Sequence, residues 1–410
     1  MRFPLEYMTI LIGIVGKPSS GKSTFLNAAC LTEAETSIIP FTTIDPNKGV
    51  SYVRTECVCH ELGLKDNPKN SRCINGNRYI PINLLDVAGL VPNAHKGKGL
   101  GNKFLNDLSR ADVLIHIVDV TGSLDSNGQR IGAGKNDPLD DIQFLEREIN
   151  LWFKKILERE DWEKFKRTFK RQRMEFLNGL HERLSGLKVN KIHIKLALKK
   201  SELERKNPND WNQKDLLKFA SELRKLAKPI LVVANKIDKE KNPKKIKILQ
   251  EKYDGPIIPC SALAEFYLRK YDESNRIKYN PGSNDFHFLK EKSFSKNELE
   301  MLKKIKSEIL EKYGGTGVQS ALNYAIFNIM NQICVYPVSN VNTYSDKNQN
   351  ILPDAFLVKN GSNLREFVKK KIHSDLSENF LFGIDARTKK RLGEDYKLKN
   401  RDIIKIVTSK

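Results

Sequence analysis

The chain has 410 residues, a formal net charge of +21 and 39% hydrophobic residues, which suffices for two or three domains with buried cores. No apolar stretch is long enough to cross a bilayer, and residues 1–7 lack the apolar core of a secretory signal. Six cysteines are few for this length. Without an export signal, they predict reduced thiols in a cytoplasmic protein that does not bind membranes.

The basic excess, 71 basic against 50 acidic residues, predicts a polyanionic partner. Nucleic acid is favoured over a membrane surface, because the sequence shows neither a lipidation motif nor an isolated amphipathic anchor. A lysine-rich genome, or adaptation to heat or salt, is the alternative source of this charge.

A glycine-rich loop begins at Gly16 and reads Gly-Lys-Pro-Ser-Ser-Gly-Lys-Ser. The apolar run Met8–Val15 before it predicts a buried strand, and Ser23–Cys30 after it predicts a helix. Strand, loop and helix in this order form the phosphate-binding loop of nucleotide hydrolases, where backbone amides hold phosphates. In that loop Lys22 can reach the terminal phosphates, and Ser23 can ligate Mg²⁺. The predicted nucleotide contacts of this segment are Gly16, Lys17, Pro18, Ser19, Ser20, Gly21, Lys22, Ser23 and Thr24.

Two further segments fit the γ-phosphate end of a nucleotide. Pro40–Asn47 is held extended by two prolines, and Thr42 or Thr43 within it can reach Mg²⁺ and the γ-phosphate. Residues 86–89, Asp-Val-Ala-Gly, follow a predicted strand. We expect Asp86 to anchor Mg²⁺ and Gly89 to turn its N–H toward the γ-phosphate.

The base is predicted to be chosen by residues 235–238, Asn-Lys-Ile-Asp. The Asp238 carboxylate can accept hydrogen bonds from N1–H and the 2-amino group of guanine, and adenine offers no donor at either place. Asn235 is expected to brace the loop, and Lys236 to lie across the base plane. Ser261-Ala262-Leu263 follow the next predicted strand, and a backbone N–H there can meet the guanine oxygen.

Four metal-ligating side chains, Cys57, Cys59, His60 and Cys73, fall between two predicted strands. They can form a zinc site or a disulfide near the tip of a hairpin, or they can be ordinary loop thiols. The spacing Cys-x-Cys-His is not a common zinc-ribbon spacing, which favours ordinary thiols.

From Ile142 to about Lys200, apolar residues recur at three- and four-residue spacing and predict helices. Between Lys154 and Lys206, 17 basic and 8 acidic residues give a net charge of +9. This pattern predicts a helical hairpin whose basic outer face contacts nucleic acid or is simply solvated. After Ile333, short strands and one helix predict a small mixed sheet wrapped on a helix.

The motif series resembles that of translation-factor-class GTPases of the Obg family, and more narrowly its YchF-related branch. The residues that carry the resemblance are Gly16–Ser23, Pro40–Asn47, Asp86–Val91 and Gly99–Leu105, and it extends over nearly the whole chain. It implies an α/β fold with a Ras-like P-loop G domain of mixed, mostly parallel sheet. It also implies an inserted helical, coiled-coil-like domain and a C-terminal TGS domain of β-grasp form. The predicted boundaries are 8–138 and 213–332 for the two parts of the G domain, with a helical insertion at about 264–316, 139–212 for the inserted domain, and 333–410 for the TGS domain.

Three positions depart from related enzymes. YchF itself has a changed base motif and accepts ATP, whereas residues 235–238 are of the guanine type and predict GTP. Ser19 replaces the Asn that helps hold potassium in related GTPases, which disfavours a K⁺ requirement without excluding it. Leu90 stands where Ras-like enzymes place a water-orienting Gln, so the catalytic group must come from elsewhere. A K⁺ ion, His95 or a partner residue could assist, although an ordinary exposed loop histidine is the favoured interpretation of His95.

The sequence therefore predicts a monomeric enzyme that hydrolyses GTP to GDP and phosphate and acts as a nucleotide-dependent switch on the ribosome or RNA. The predicted catalytic residues are Lys22, Thr43 and Gly89, and the predicted Mg²⁺ ligands are Ser23, Thr43 and Asp86. Thr43 is preferred to Thr42 because matching family segments keep the second threonine. The alternatives are an ATPase or phosphotransferase with the same loop, and an RNA-binding protein with a structural nucleotide site.

Overall fold

The computed structural model describes residues 10–30, 48–87, 100–159, 161–168, 173–372 and 379–409. None of the helices in these ranges combines the length and apolar character that crossing a bilayer requires. The strands are β1 (Leu11–Val15), β2 (Lys48–Glu56), β3 (Arg72–Ile74), β4 (Asn77–Asp86), β5 (Val113–Asp119), β6 (Ile230–Asn235), β7 (Ile257–Cys260), β8 (Ile277–Tyr279), β9 (Phe286–Phe288), β10 (Gln332–Val338), β11 (Phe356–Lys359), β12 (Phe380–Asp385), β13 (Arg391–Leu392) and β14 (Asp402–Thr408).

The α-helices are α1 (Lys22–Cys30), α2 (Val58–Glu61), α3 (Leu100–Arg110), α4 (Pro138–Leu157), α5 (Trp162–Thr168), α6 (Arg173–Arg183), α7 (Lys191–Lys200), α8 (Gln213–Ala227), α9 (Lys245–Lys252), α10 (Ala262–Glu273), α11 (Lys296–Lys304), α12 (Glu311–Tyr313), α13 (Val318–Asn323) and α14 (Leu364–Phe367). Turns of π-helix continue three of them, over Ile305–Leu310, Tyr324–Ile329 and Val368–Ile372.

Seven strands of the described ranges form one mixed sheet in the order β2, β4, β1, β5, β6, β7, with β3 also paired to β4. The strands β1 and β4 to β7 are parallel, whereas β2 and β3 run antiparallel to β4. The carboxyl ends of parallel strands lie at one edge of a sheet, where ligands bind in open α/β folds. This edge therefore receives the loops that the sequence singles out.

The two central strands are buried along their whole length. Val113–Asp119 and Ile230–Asn235 are nearly unbroken apolar runs, and every residue of both is buried. Such runs are typical of parallel strands that are covered by helices on both faces. The mixed, mostly parallel sheet predicted for the G domain is thereby confirmed.

Helix α4 packs on β5, and helices α5 to α8 belong to the same apolar cluster. One apolar cluster joins Val15 and Leu85 of the sheet to Trp152, Leu180 and Leu223 of the helices. The helical region predicted for 139–212 consequently shares its core with the G domain. Its boundaries remain a prediction, because α8 packs on α4 and α7 across the predicted border at residue 213.

The C-terminal strands form a second sheet in the order β11, β10, β14, β12, β13. Its central pair, β10 and β14, is parallel, and β11 and β12 are antiparallel to their neighbours. Helix α14 buries Leu364 and Phe367 against this sheet. A mixed sheet wrapped on one helix is the β-grasp architecture predicted for the TGS domain.

The predicted insertion at about 264–316 is only partly helical. Helix α10 occupies its start and packs on α1, and β8 and β9 form an antiparallel hairpin after it. Tyr279 of the hairpin is 2% exposed, and its hydroxyl donates to Glu265 at 2.7 Å. These apolar strands are short and lie among charged and turn-forming residues, so the sequence pattern does not predict them.

Candidate functional site

The pairing register places the predicted motifs side by side. Asp86 lies opposite Ile14, and Asn235 lies between Asp119 on one side and Cys260 on the other. The loops that follow β1, β4, β5, β6 and β7 therefore open on a common surface.

The loop after β1 needs glycine at two positions. Gly16 has φ +147°, and a Cβ atom there would lie 2.4 Å from the Ile117 carbonyl oxygen. Gly21 has φ +102°, and its Cβ would lie 2.3 Å from Nδ2 of Asn235. These distances are too short for any side chain, so both glycines allow the loop to curl against β5 and β6.

Two polar groups within the loop are available to bind an anion. The buried hydroxyl of Ser20 has no hydrogen-bond partner among the described residues. The Lys22 ammonium donates to the Lys17 carbonyl oxygen at 2.9 Å. Burial lowers the pKa of Lys22, and the nearby Asp86 carboxylate opposes that shift. An anion in the loop would satisfy both groups.

Asn235 connects the phosphate loop to the loop after β7. Its Nδ2 donates to the Ser20 carbonyl oxygen at 3.0 Å, and its Oδ1 accepts from the Ala262 amide at 3.1 Å. Lys236, in a left-handed conformation with φ 68°, donates to the Ser19 carbonyl oxygen at 2.9 Å. One short motif thus holds both loops in place.

The carboxylate of Asp238 is exposed and held at one oxygen. The buried Ser261 hydroxyl donates to Oδ1 of Asp238 at 2.6 Å and also caps α10 by accepting from the Ala264 amide. A cleft of about 360 Å³ opens beside this carboxylate, with Leu263 in its wall. This is the chemistry expected of a site that receives a base with two adjacent N–H donors.

Comparison with known proteins agrees with this geometry. Three family models match: the 50S ribosome-binding GTPase model over residues 11–150, the Obg-like GTPase YGR210-like, G4 motif-containing domain over 233–340, and the TGS domain over 348–408. A GTP-binding protein of Methanocaldococcus jannaschii is 44% identical over 400 residues, which cover 97% of this chain and 99% of the relative. The chain belongs to the YchF-related branch of the Obg family of P-loop GTPases.

Two other relatives differ in how much of this chain they match. The crystal structure of a GTP-binding protein from Pyrococcus horikoshii superposes with a TM-score of 0.77 at 39% identity and covers 98% of this chain and 100% of that one. The ribosome-binding ATPase YchF of Bacillus subtilis is 37% identical over 146 residues, 35% of this chain and 37% of its own.

In this Obg-family chain, a buried ion pair joins the phosphate loop to helix α4. The Lys17 ammonium contacts the Asp141 carboxylate, and both side chains are at most 7% exposed. Asn136 donates to the same carboxylate at 2.9 Å. Burial raises the pKa of Asp141 although Lys17 and Asn136 oppose that shift. This pair was not predicted, because in the sequence Asp141 is an ordinary acidic residue in the first turn of a helix.

Two further polar residues of β5, His116 in its middle and Asp119 at its end, were not among the predicted site residues, and the sequence predicts only that Asp119 closes the turn after the strand. Asp119 accepts from Lys236 at 2.8 Å and from the Thr121 and Ser123 hydroxyls at 2.6 Å each. Burial acts to raise the pKa of Asp119, but these donors lower it below the usual value. His116 lies beside Val15, and burial lowers its pKa to about 3, so it is neutral beneath the loop.

The remaining predicted contacts have the following positions. Ser23 and Thr24 lie in the first turn of α1, with Ser23 exposed. Pro18 packs against Gly128 of the loop after β5. The structure places Asp86 at the end of β4, where it interacts electrostatically with Lys22. The predictions that lie outside the described residues are Thr42, Thr43, Gly89, Leu90, His95 and the Pro40–Asn47 segment.

Proposed function

We propose that this protein hydrolyses GTP to GDP and phosphate and uses the nucleotide state as a switch. The main support for this proposal is that the Asn235 side chain forms hydrogen bonds with both the phosphate loop and the loop after β7, which we call the base loop. Because one residue sets the distance between the two loops, the site fits a ligand that has phosphates at one end and a base at the other.

The phosphate end is formed by the curled loop and the start of α1. Among the described residues, Lys22 donates to the Lys17 carbonyl oxygen, which phosphate oxygens would replace with stronger, charge-assisted bonds. In this proposal Lys22 stabilises the charge that develops on the terminal phosphates. The Thr43 carbonyl and the Gly89 amide would orient the attacking water.

A magnesium ion fits the oxygen donors at this end. Ser23 offers a hydroxyl and Asp86 a carboxylate, and both lie next to the loop that holds Lys22. Hard oxygen ligands of this kind suit Mg²⁺. We propose Ser23, Thr43 and Asp86 as the residues that hold it, directly or through water. When bound, Mg²⁺ neutralises charge on the β- and γ-phosphates.

The base end favours guanine. One oxygen of Asp238 accepts a hydrogen bond from the Ser261 hydroxyl. The carboxylate can also accept from the guanine N1–H and 2-amino groups. The amides of Ser261 and Ala262 are bonded to Thr316 and Asn235, so the Leu263 amide is our candidate donor to the guanine oxygen. A relative named as an ATPase makes ATP the competing substrate, but adenine would offer the Asp238 carboxylate no donor from the base.

For the partner we propose the ribosome or another structured RNA. The net charge of +21 and the family model described as ribosome-binding both support this choice. Helix α7 presents Lys191, Lys195 and Lys199 as an exposed stripe at four-residue spacing. Exposed Ile192 and Leu196 adjoin the stripe, so the face combines cations with apolar contact area.

The test of hydrolysis is a single-turnover assay with Mg²⁺ and GTP. We expect Lys22→Ala to lower the rate about 100-fold or more, because it removes a charge that acts on the transferred phosphoryl group. Lys252→Ala, at an exposed lysine of α9, is the matched control and should keep the wild-type rate. An unchanged rate in Lys22→Ala would contradict the proposed mechanism.

A further inference from the structure

Three thiols and a carboxylate converge beside the β2–β4 ribbon. Cys57 and Cys59 lie at the start of α2, Cys73 lies on β3, and Asp66 belongs to the loop between them. One potential ligand atom of each residue lies within 4.8 Å of all the others. His60, which the sequence analysis grouped with the cysteines, is exposed and is not part of this cluster.

The spacing within the cluster is that of a tetrahedral metal site. Zn–S bonds of about 2.3 Å place the sulfur atoms of a tetrahedron about 3.8 Å apart. The Sγ atoms of Cys59 and Cys73 are 3.6 Å apart, and Sγ of Cys57 lies 3.3 Å from Oδ2 of Asp66. All six cysteines of the chain are free, so no disulfide accounts for the convergence.

A buried guanidinium beside the cluster offsets part of the charge that four anionic ligands would carry. Arg78 is fully buried and donates to Asp66 at 3.0 Å. Three thiolates and one carboxylate carry four negative charges, of which Arg78 offsets one. A divalent cation would reduce the remaining charge to about one.

We propose that Cys57, Cys59, Asp66 and Cys73 form a structural Zn²⁺ site. Thiolates are soft ligands that select zinc over magnesium or calcium. Four protein ligands complete a tetrahedron, which is the arrangement of structural rather than catalytic zinc. Binding releases the thiol protons to solvent, and the metal undergoes no redox change.

The site would fix the segment that docks the C-terminal sheet. Between Cys59 and Cys73, the amides of Asn67 and Lys69 donate to the carbonyl oxygens of Ile351 and Pro353 at 2.9 and 2.7 Å. Arg78, beside the cluster, donates to the Leu352 carbonyl oxygen at 2.9 Å. Zinc would therefore hold a loop whose backbone bonds the TGS domain to the G domain.

The first experiment measures metal content and thiols in the purified full-length chain. Elemental analysis is expected to find about one zinc per chain, and six thiols should react with Ellman's reagent after denaturation with a chelator. Absence of zinc, in chain purified with zinc in the medium, would overturn the proposal. Four reactive thiols without reductant would also overturn it, because they would indicate a disulfide.

The second experiment replaces zinc with Co²⁺ and reads its absorption spectrum. Intense visible bands and a sulfur-to-metal charge-transfer band are expected for tetrahedral thiolate coordination. Cys73→Ser should lose stoichiometric metal, and the milder Asp66→Asn should lower the Co²⁺ affinity about tenfold or more. Cys30→Ser, outside the cluster, is the control. Equal Co²⁺ binding by folded Asp66→Asn and by wild type would remove Asp66 from the site.

Discussion

The Asn235 side chain fixes the position of the phosphate loop relative to α10. Its amide bridges the phosphate loop and α10, and it lies so close to Gly21 that a Cβ there would clash with it. The motif predicted that Asn235 braces its own loop. The contact with Ser20, 215 residues away in sequence, could not be predicted, because only the register of β1, β5 and β6 brings the two loops together.

The Lys17–Asp141 pair carries the first prediction at this scale. Asp141→Asn would leave the Lys17 ammonium buried without a counter-charge, so we expect the free energy of unfolding to fall by about 3 kcal/mol. Urea denaturation measures this value. Asp140→Asn, at the exposed neighbouring residue of the same helix turn, should change it by less than about 0.5 kcal/mol. Equal effects of the two variants would show that the buried pair is not stabilising.

At the scale of elements, the exposed face of α7 is where the proposed partner can be tested. Residues Lys191, Lys195 and Lys199 share one face, as their spacing predicts. The sequence analysis predicted a basic helical surface but could not separate nucleic-acid contact from solvation. These two alternatives differ in whether a bound partner releases counterions from this face. The sequence does not show whether that happens.

We expect the triple change of these lysines to alanine to weaken cosedimentation with ribosomes. If each lysine contacts one phosphate, the slope of log affinity against log salt should fall by about 2, at roughly 0.7 per contact. The control is the triple alanine variant of Lys241, Lys247 and Lys252, which are also exposed. An equal loss in both variants would indicate a general charge effect rather than a binding face.

Element boundaries were predictable where apolar runs are long. The apolar segments Val113–Asp119 and Ile257–Cys260 predict strands, and the structure has strands with these bounds. The sequence analysis missed β3 and β8, each only three residues long, because such short strands carry no periodicity. Their pairing is decided by the neighbouring β4 and β9.

For the whole molecule, the main finding is that the core is continuous between the two sheets. Ile12 and Phe25 of the G domain belong to the same apolar cluster as Tyr336, Leu352 and Ile403 of the TGS domain. Domain prediction from sequence divides a chain where composition and motifs change. It cannot show that the two parts bury a common surface, which depends on their docking.

This shared core predicts that the two units unfold together. Leu352 is fully buried in the C-terminal part, and Leu352→Ala should lower the unfolding free energy by about 3 kcal/mol. The three tryptophans, Trp152, Trp162 and Trp211, all lie among the helices α4 to α8, so their fluorescence reports on the other part of the molecule.

In a urea titration, the tryptophan transition should therefore shift to lower urea in Leu352→Ala. Leu381→Ala, at a 53% exposed leucine of β12 in the same domain, should leave the transition in place. A tryptophan transition unchanged by Leu352→Ala would mean that the TGS domain unfolds by itself.

The central claim is that one carboxylate selects the guanine base of a triphosphate held by the phosphate loop. Asp238→Asn weakens two charge-assisted bonds to the base of about 1.5–3 kcal/mol each, so GTP affinity should fall about 100-fold or more while ATP affinity changes little. Competition of GTP and ATP against a fluorescent GTP analogue measures the preference. Asp254→Asn, at an exposed aspartate, serves as the control. We expect only Asp238→Asn to lose the preference for GTP, and an undiminished preference in that variant would show that Asp238 does not select the base.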